Sequence, residues 1–481
     1  MDAEGQQNRN NPVSSRLERG EAPRRLAGES DACKASTEPD PKTMLLMEQV
    51  VQRDNLRKAL KRVRANKGSP GVDSMTVDEL VPHLREHWEE LKKKLLDGSY
   101  EPCPVKRVEI PKPSGGTRML GIPTVLDRFI QQAILQVLTP LFDPGFSKHS
   151  YGFRPGKSAH QAVETARAYI QEGYEWVVDM DLEKFFDRVN HDVLMGRLAK
   201  RIADKHLLRI IRRYLQAGVM VHGVTVDRQE GTPQGGPLSP LLSNVLLDEL
   251  DKELESRGHR FVRYADDCNV YVRSKRAGER VLSSLKEWLG KRLRLRVNEK
   301  KSAVDRPQER KFLGFSFFMW DGRAKIRIAP ESIRRVRGRI RWITRRGRGM
   351  ALERVIAELN RFTIGWMGYF QITEAVSVLR ATDGWTRRRL RCFRIKQWRN
   401  RPRTRYREMR ALGLSKDHAA MFASIRRGWW GLSMTPQTSL AFPESYFVER
   451  GLVGLFRRYA ALKSVRTAEC GPACSVVWQG K

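Results

Sequence analysis

The segment FVRYADDCNVYV, residues 261–272, is the part of this 481-residue chain that decides its fold. Apolar residues lie on both sides of YADD, which predicts an antiparallel hairpin with Ala265, Asp266 and Asp267 at its tip. Adjacent carboxylates held between apolar strands repel each other and destabilise a fold unless a cation lies between them. A bare pair of aspartates usually marks only a solvated turn, but the apolar frame favours a functional site here.

A second acidic segment precedes this hairpin. Residues 175–182, EWVVDMDL, form a short apolar run that carries Asp179 and Asp181. Alternate side chains of a strand share one face, so we expect both carboxylates to point the same way. Carboxylates that converge from two elements suit Mg²⁺. Two such ions about 3.5–4 Å apart would activate a 3′-hydroxyl and stabilise departing pyrophosphate.

The composition points to a polyanionic partner. Lys and Arg number 90 against 55 Asp and Glu, a formal charge of +35, which favours nucleic acid first and an anionic membrane surface second. Hydrophobic residues make up 40%, which allows a large core and excludes global disorder. No apolar run is long enough to span a membrane, and the polar N-terminus is unlike a signal peptide.

Cysteine usage indicates a reducing compartment. The six cysteines are sparse, and Cys470 and Cys474 form an isolated pair where a zinc site needs four ligands. We therefore expect free thiols and a cytoplasmic protein.

The rest of the chain reads as alternating helices and strands. Helical spacing begins near Met44 and runs from Leu45 to Val63, and Thr124 is expected to cap a helix. A hairpin is predicted from strands over 105–110 and 118–122, joined by a turn at 111–116. Further helices are predicted over residues 77–96, 159–170, 241–257 and 277–292.

Residues 321–410 differ in composition from the preceding chain. They hold 26 Lys and Arg against 7 Asp and Glu, so more than half of the net charge lies in under a fifth of the chain. We interpret this part as a second, helical, basic domain. Six tryptophans punctuate this part and the residues after it: Trp342, Trp366, Trp385, Trp398, Trp429 and Trp430.

Six motifs in a fixed order carry a family resemblance. They are LGIPT (120–124), SYGFRP (150–155), DLEKFFD (181–187), PQGGPLSP (233–240), YADD (264–267) and FLGF (312–315). In this order they resemble the bacterial group II intron-encoded reverse transcriptase and maturase family, over about residues 44–459. The resemblance implies an α+β right-hand polymerase with fingers and palm, followed by an α-helical thumb and maturase domain.

The resemblance also implies a division of the chain. About twenty residues follow Tyr459, and none of them is a histidine, so we expect no endonuclease domain. Entry into target DNA is then expected to use existing single strands, as at a replication fork. The expected parts are a disordered tail (1–43), an N-terminal extension (44–91), reverse transcriptase fingers and palm (92–320), an RNA-binding thumb and maturase domain (321–460) and a short tail (461–481).

The family pattern assigns the catalytic roles. Asp181 and Asp266 would be metal ligands and Asp267 would complete the triad, with two Mg²⁺ ions. The backbone carbonyl of Leu182 would add a further ligand. Asp179 shares the face of Asp181 but lies outside the motif, so we expect it to support the site.

The resemblance implies an aromatic gate and a triphosphate grip. Phe186 would exclude a 2′-hydroxyl by steric clash, although either Phe185 or Phe186 is expected to be core. Lys112 and Arg118 would grip the triphosphate, Arg by bidentate contact and Lys as a point charge. The alternative for these two cations is a solvated basic hairpin.

Two more segments are expected to contact the nucleotide. Gln234 and Gly235 resemble the loop that packs on the nascent base pair, where glycine allows a close backbone approach. Lys301 matches the family's lysine near the nucleotide, and Lys300 is the neighbouring alternative.

The basic aromatic segments resemble a thumb and maturase domain. Basic residues interleaved with aromatics suit a surface that neutralises phosphates and stacks on unpaired bases. Arg387, Arg388, Arg389 and Arg391 are expected to belong to that RNA surface. The alternative is that most tryptophans are core and the arginines form a solvated face.

The implied function is an RNA-directed DNA polymerase and maturase. It would bind group II intron RNA, assist its splicing and copy it into cDNA from dNTPs during intron mobility. Its partners would be intron RNA, an RNA template with a DNA primer, and target DNA, with no membrane. A splicing-only maturase with little polymerase activity is the alternative, but the intact triad, gate and grip favour the polymerase. Retron enzymes usually lack this N-terminal extension and maturase domain.

Overall fold

The computed structural model describes residues 45–111, 116–221, 224–226, 230–231, 235–398 and 401–469. Within these residues, helices and strands are mixed up to residue 328, and only helices follow. The helices are α1 Leu46–Val50, α2 Arg53–Asn66, α3 Leu80–Leu96, α4 Val125–Phe142, α5 Ala159–Gln171, α6 His191–Ala199, α7 Lys205–Gln216, α8 Ser239–Ser256, α9 Lys275–Arg292, α10 Pro330–Ile343, α11 Leu352–Phe370, α12 Ser377–Gln397, α13 Pro402–Ala411, α14 Lys416–Ser424, α15 Trp429–Leu432, α16 Pro436–Ala441, α17 Glu444–Glu449 and α18 Leu455–Glu469. The strands are β1 Val105–Pro111, β2 Thr117–Ile122, β3 Trp176–Met180, β4 Val219–Val221, β5 Val224–Val226, β6 Arg260–Tyr264, β7 Asp267–Val272, β8 Ala303–Asp305, β9 Phe315–Trp320 and β10 Arg323–Ile328.

The four-stranded antiparallel sheet β6-β7-β3-β8, here named the palm sheet, lies at the centre of the fold. Its strands are rich in buried β-branched and aromatic residues, which favour the extended backbone. β6 and β7 form the predicted hairpin, with Tyr264 opposite Asp267. β7 also pairs with β3, so that Asp179 lies opposite Asn269. Both acidic segments therefore belong to one sheet.

A second sheet, β2-β1-β4-β5, contains the predicted hairpin of β1 and β2. The chain then enters α4, where the hydroxyl of Thr124 accepts a hydrogen bond from the N–H of Asp127 at 3.0 Å. The expected cap at Thr124 is confirmed, and this side-chain bond fixes the start of α4.

The N-terminal helices differ from the predicted pattern. The single run from Leu45 to Val63 is broken at Gln52, whose extended backbone separates α1 from α2. The helix predicted from Val77 begins at Leu80. The reason lies in a preceding turn, in which the Glu79 carboxylate accepts bonds from the N–H and hydroxyl of Thr76.

The β9–β10 hairpin spans the expected boundary between residues 320 and 321. Asp321 and Gly322 both have positive φ, as a tight two-residue turn requires, and Trp320 pairs with Arg323. The helical region therefore starts at Pro330, and the expected domain limits stay predictions.

Buried apolar residues form three clusters. One fills the space between the palm sheet and helices α1–α4 and α6–α9, and another lies among the helices after residue 330. The remaining cluster joins palm residues such as Tyr271 to Phe315 of β9, Met367 of α11 and Leu455 of α18. The basic helices are thus packed against the palm through a shared core. Across the described ranges, no helix combines the length and apolarity that crossing a membrane requires.

Candidate active site

The tip of the palm hairpin is a two-residue turn with unusual backbone geometry. β6 ends at Tyr264 and β7 begins at Asp267, which leaves Ala265 and Asp266 in the turn. Ala265 has a φ of 58°, in the left-handed region that non-glycine residues rarely adopt. Such a conformation persists only where surrounding contacts fix it.

A fully buried arginine provides one of those contacts. The guanidinium of Arg263 donates to the carbonyl of Ala265 at 2.9 Å, and it forms a bidentate pair with the buried Asp251 at 2.7 and 2.5 Å. Its remaining donors reach Asn244 at 3.0 Å and Ser150 at 2.8 Å. All five N–H groups are used, so Arg263 ties the turn to α8 and to the SYGFRP segment. Sequence reasoning missed this residue.

The SYGFRP segment also touches the turn through its glycine. A Cβ added to Gly152 would lie 2.3 Å from the backbone nitrogen of Ala265, so only glycine fits there. The next residue, Phe153, has a φ of 58° and holds its exposed ring 6.2 Å from that of Tyr264. This motif therefore acts as a backbone support for the acidic tip.

Asp181 follows the last residue of β3 and has a fixed backbone. Its N–H donates to the hydroxyl of Ser302 at 3.0 Å, and its carbonyl accepts from the N–H of Asn298 at 2.8 Å. The Nζ of Lys301 lies 3.2 Å from its carboxylate. The structure therefore brings Lys301 to Asp181, while the side chain of Lys300 is exposed.

Asp179 is held by a cation that the sequence did not reveal. Both Nε and a terminal nitrogen of Arg310 donate to its carboxylate, at 2.9 and 2.6 Å. Arg310 also donates to the backbone carbonyl of Lys301 at 2.8 Å. Burial raises the pKa of Asp179, and the guanidinium opposes that rise. These contacts agree with a supporting role for Asp179.

The acidic groups of both segments interact at Asp267. Burial raises the pKa of Asp267 to about 8, and the charges of Asp179, Asp266 and Asp181 add to the rise. Burial is the largest cause of this rise, and the neighbouring carboxylates add to it. The two acidic segments thus interact on one sheet, and their role as a joint metal site stays a prediction.

The donor set suits a hard divalent cation. Two carboxylates, however, face basic side chains, Asp181 facing Lys301 and Asp179 facing Arg310. In the part of the chain that the structure describes, no three His, Cys, Asp or Glu side chains are arranged to hold a metal ion. Leu182 pairs with Val297 in an isolated bridge whose hydrogen bonds do not use the Leu182 carbonyl.

The structure distinguishes the two candidate gate residues. Phe185 is 2% exposed and belongs to the core, whereas Phe186 is only partly buried. Their rings meet edge to face, with centroids 5.1 Å apart. Phe186 is therefore the ring of this pair that remains accessible.

The other expected nucleotide contacts are described only in part. Lys112 and Gln234 lie outside the described residues, and for Arg118 only the backbone, in β2, is described. Gly235 has a φ of 130°, and an added Cβ would lie 2.5 Å from the carbonyl of Gly121 in the LGIPT motif. Gly235 therefore approaches the backbone of Gly121 closely, and its expected packing on the nascent base pair stays a prediction.

Two family models match the chain. "Reverse transcriptase (RNA-dependent DNA polymerase)" matches residues 110–317, and "Group II intron, maturase-specific domain" matches residues 333–413. The first range includes all four interacting aspartates, and the second includes most of the basic helices.

Curated relatives include proteins named for introns. Protein YkfC of Escherichia coli (strain K12) is 37% identical over 229 residues, 46% of this chain and 60% of that protein. Group II intron-encoded protein LtrA of Lactococcus lactis subsp. cremoris is 37% identical over 197 residues, 40% of this chain and 32% of that protein. The putative COX1/OXI3 intron 2 protein of Saccharomyces cerevisiae is 32% identical over 235 residues, 47% of this chain and 26% of that protein. The matched regions thus span between about a quarter and three fifths of these relatives.

Proposed function

We propose that this chain, which matches the reverse transcriptase model and the group II intron maturase-specific model, copies intron RNA into cDNA and assists splicing of that RNA. The observation that carries the polymerase half is the electrostatic interaction of Asp267 with Asp266 and Asp181 on the palm sheet, with Lys301 paired to Asp181. A chain that served splicing alone would have no need for carboxylates held this close at a cost in stability.

The carboxylates of Asp181, Asp266 and Asp267, with the carbonyl of Leu182, would hold two Mg²⁺ ions. Bound there, these ions would activate the primer hydroxyl and offset charge on the phosphates. Lys301 forms an ion pair with Asp181 at 3.2 Å and would supply positive charge beside the incoming triphosphate.

Other side chains of the proposed site bind and select the dNTP. Phe186 would exclude a 2′-hydroxyl. Lys112 and Arg118 would grip the triphosphate, and Gln234 with Gly235 would pack on the nascent pair. The RNA template with its DNA primer, and target DNA, would occupy the groove in front of the palm sheet.

The proposed division of labour follows the expected domains. Residues 44–91 form an N-terminal extension, 92–320 fingers and palm, and 321–460 a thumb and maturase part that binds intron RNA. Residues 1–43 would be a tail, and the C-terminal tail expected from residue 461 would begin only after α18, which extends to Glu469. We assign the protein to the cytoplasm, where thiols such as the buried Cys268 stay reduced.

The experiment that tests the polymerase is Asp266→Asn, assayed by extension of oligo(dT) on poly(rA) with Mg²⁺. Loss of one metal ligand should reduce extension by on the order of a thousandfold. Asp321→Asn, in the exposed β9–β10 turn, removes the same charge and should leave extension unchanged. Extension by Asp266→Asn at the wild-type rate would refute the site assignment.

The splicing-only alternative has a distinct outcome. If the wild-type chain promotes intron splicing at low Mg²⁺ but extends no primer, that alternative holds. If both activities are present, Asp266→Asn should abolish extension and leave splicing, because the basic helices do not depend on this carboxylate.

A further inference from the structure

A small, partly open cavity lies among the basic helices, between α10, α12 and α15. Its volume is about 190 Å³, or about six times the ~30 Å³ that one water molecule occupies in the liquid. All but one of its lining residues fall within the maturase-specific match. It is lined by Arg341, Thr344, Arg346, Trp385, Arg389, Cys392 and Trp430.

The cavity concentrates positive charge without compensation. No carboxylate lines it. In the described ranges, no ion pair joins an acidic side chain to Arg341, Arg346, Arg388 or Arg389, whereas the adjacent Arg387 pairs with an exposed glutamate. Burial lowers the pKa of Arg389, and the charges of Arg341 and Arg346 lower it further. Arg389 is therefore close enough to Arg341 and Arg346 to be repelled by both, and an anion would relieve that repulsion.

Two of the four arginines are fixed by the protein itself. Arg389 donates to the hydroxyl of Thr344 at 2.6 Å and to the carbonyl of Arg341 at 3.2 Å, at the C-terminal end of α10. Arg388 lies 3.7 Å from the centroid of the Trp430 ring and donates to the Trp430 carbonyl at 3.2 Å. These bonds hold the walls of the cavity in place before any ligand arrives.

The other two arginines project at its rim. Arg341 and Arg346 are exposed, and Arg346 has a weak contact with the sulfur of Cys392 at 3.8 Å. Planar guanidinium groups bind phosphate oxygens in a bidentate manner. The indole of Trp430, which is 38% exposed, lies beside them. An aromatic face next to free guanidiniums suits a base outside a duplex, because paired bases hide their faces in the helical stack.

We propose that this cavity binds one unpaired nucleotide of the intron RNA, its phosphodiester on Arg341 and Arg346 and its base against Trp430. The inference rests on the proposed function, because it takes group II intron RNA as the partner of the helical region. It adds the position of one contact and its requirement for an unpaired base.

The phosphate part is tested with Arg341→Gln/Arg346→Gln in the full chain. Binding of a fluorescent oligouridylate of about a dozen nucleotides is followed by anisotropy between about 50 and 200 mM KCl. Losing one phosphate contact should reduce the slope of log K against log salt by ~0.7 and weaken binding roughly tenfold. The matched control, Arg354→Gln/Arg361→Gln, removes two exposed arginines of α11 and should change the slope by much less. Equal slopes in the two double variants would overturn the proposal.

The base part is tested at Trp430. Trp430→Ala should weaken oligouridylate binding several-fold, and Trp430→Phe should restore most of the loss. An RNA duplex of equal length should be affected little by Trp430→Ala, and equal losses on duplex and single strand would refute the unpaired base. The same titration with oligodeoxythymidylate distinguishes RNA from DNA as the ligand. A loss of affinity that occurs only with DNA would contradict an RNA site. Thermal unfolding checks that each variant is folded.

Failure of this inference is distinguishable from failure of the proposed polymerase. Primer extension on poly(rA)/oligo(dT) tests the palm and does not require the cavity. If the protein extends no primer but Arg341→Gln/Arg346→Gln still reduces the salt slope, the polymerase proposal fails and the cavity site is supported. If extension is normal and the salt slope is unchanged in that variant, only the cavity site is refuted.

Discussion

The palm sheet and the basic helices after Pro330 handle concentrated charge in opposite ways. In the palm, acidic side chains face specific cations, as Asp251 faces Arg263 and Asp179 faces Arg310. In the helices, many arginines have no acid nearby and bond instead to backbone carbonyls, as Arg391 does to Phe442 at 2.7 Å. Spaced carboxylates on strands thus lie on one sheet as expected, whereas the arginines of one helical run bond to different parts of the protein, and their role as an RNA surface stays a prediction.

The arginine run of α12 illustrates the second case. We expected Arg387, Arg388, Arg389 and Arg391 to form one RNA surface, but each has partners within the protein. Arg387 pairs with Glu444 at 3.2 Å, and Arg391 bonds to Phe442 and Ser439. Neighbours in a helix point in different directions because each residue turns by about 100°. The run is thus divided between packing and one wall of the cavity.

The largest expected effect concerns the buried palm pair. Arg263→Met should destabilise the protein by about 3–5 kcal/mol, because it leaves Asp251 charged, buried and unpaired. Denaturant unfolding measures this loss. The double variant Arg263→Met/Asp251→Leu should recover much of it, since it removes the orphaned charge. A single variant that lost less than about 1 kcal/mol would show that the pair does not hold the palm hairpin.

Sugar selection by the palm gives the next effect. Phe186→Val should raise rNTP incorporation relative to dNTP by roughly ten- to a hundredfold, since the excluded 2′-hydroxyl would then fit. Single-nucleotide incorporation assays measure the ratio. Phe185→Leu is the control, because Phe185 is core and its change should cost stability without altering the ratio. An unchanged ratio in Phe186→Val would assign the gate to another residue.

The repulsion at Asp267 predicts a pH dependence of stability. Its pKa is about 8 in the folded protein against an ordinary 3.8, so the folded state binds more protons between these values. Stability of the metal-free protein therefore falls as pH rises from about 4 to about 8. The Asp267→Asn variant lacks this pH-dependent loss of stability. Its free energy of unfolding should exceed that of the wild-type chain by on the order of 1–3 kcal/mol at pH 8 and by little near pH 4.

Magnesium provides the second measurement at this residue. Millimolar Mg²⁺ should stabilise the wild-type chain at pH 8 more than Asp267→Asn, because a ligand of the folded state raises the unfolding free energy. A stability difference that changes neither with pH nor with Mg²⁺ would contradict a repulsive acidic site.

Sequence patterns located the parts of the site that depend on local geometry. The YADD tip, the position of Asp181 after a strand and the Thr124 cap all follow from alternation and capping rules. Arg263 and Arg310 escaped notice because their partners lie far along the chain. Ser150 is 113 residues from Arg263, and Asp179 is 131 residues from Arg310. Only the folded sheet brings such groups together, so no local pattern encodes them.

The smallest expected effect tests the division of the arginine run. Arg387→Gln breaks an ion pair whose glutamate is largely exposed, so it should cost at most about 1 kcal/mol. Because Arg387 does not line the cavity, Arg387→Gln should leave the salt dependence of oligouridylate binding close to that of the α11 control variant. The same anisotropy titration measures it, with splicing at low Mg²⁺ and primer extension as companion assays. If Arg387→Gln reduces the salt slope as much as Arg341→Gln/Arg346→Gln does, the run acts as one continuous RNA surface after all. The contrast drawn between packing arginines and ligand-facing arginines would then be wrong.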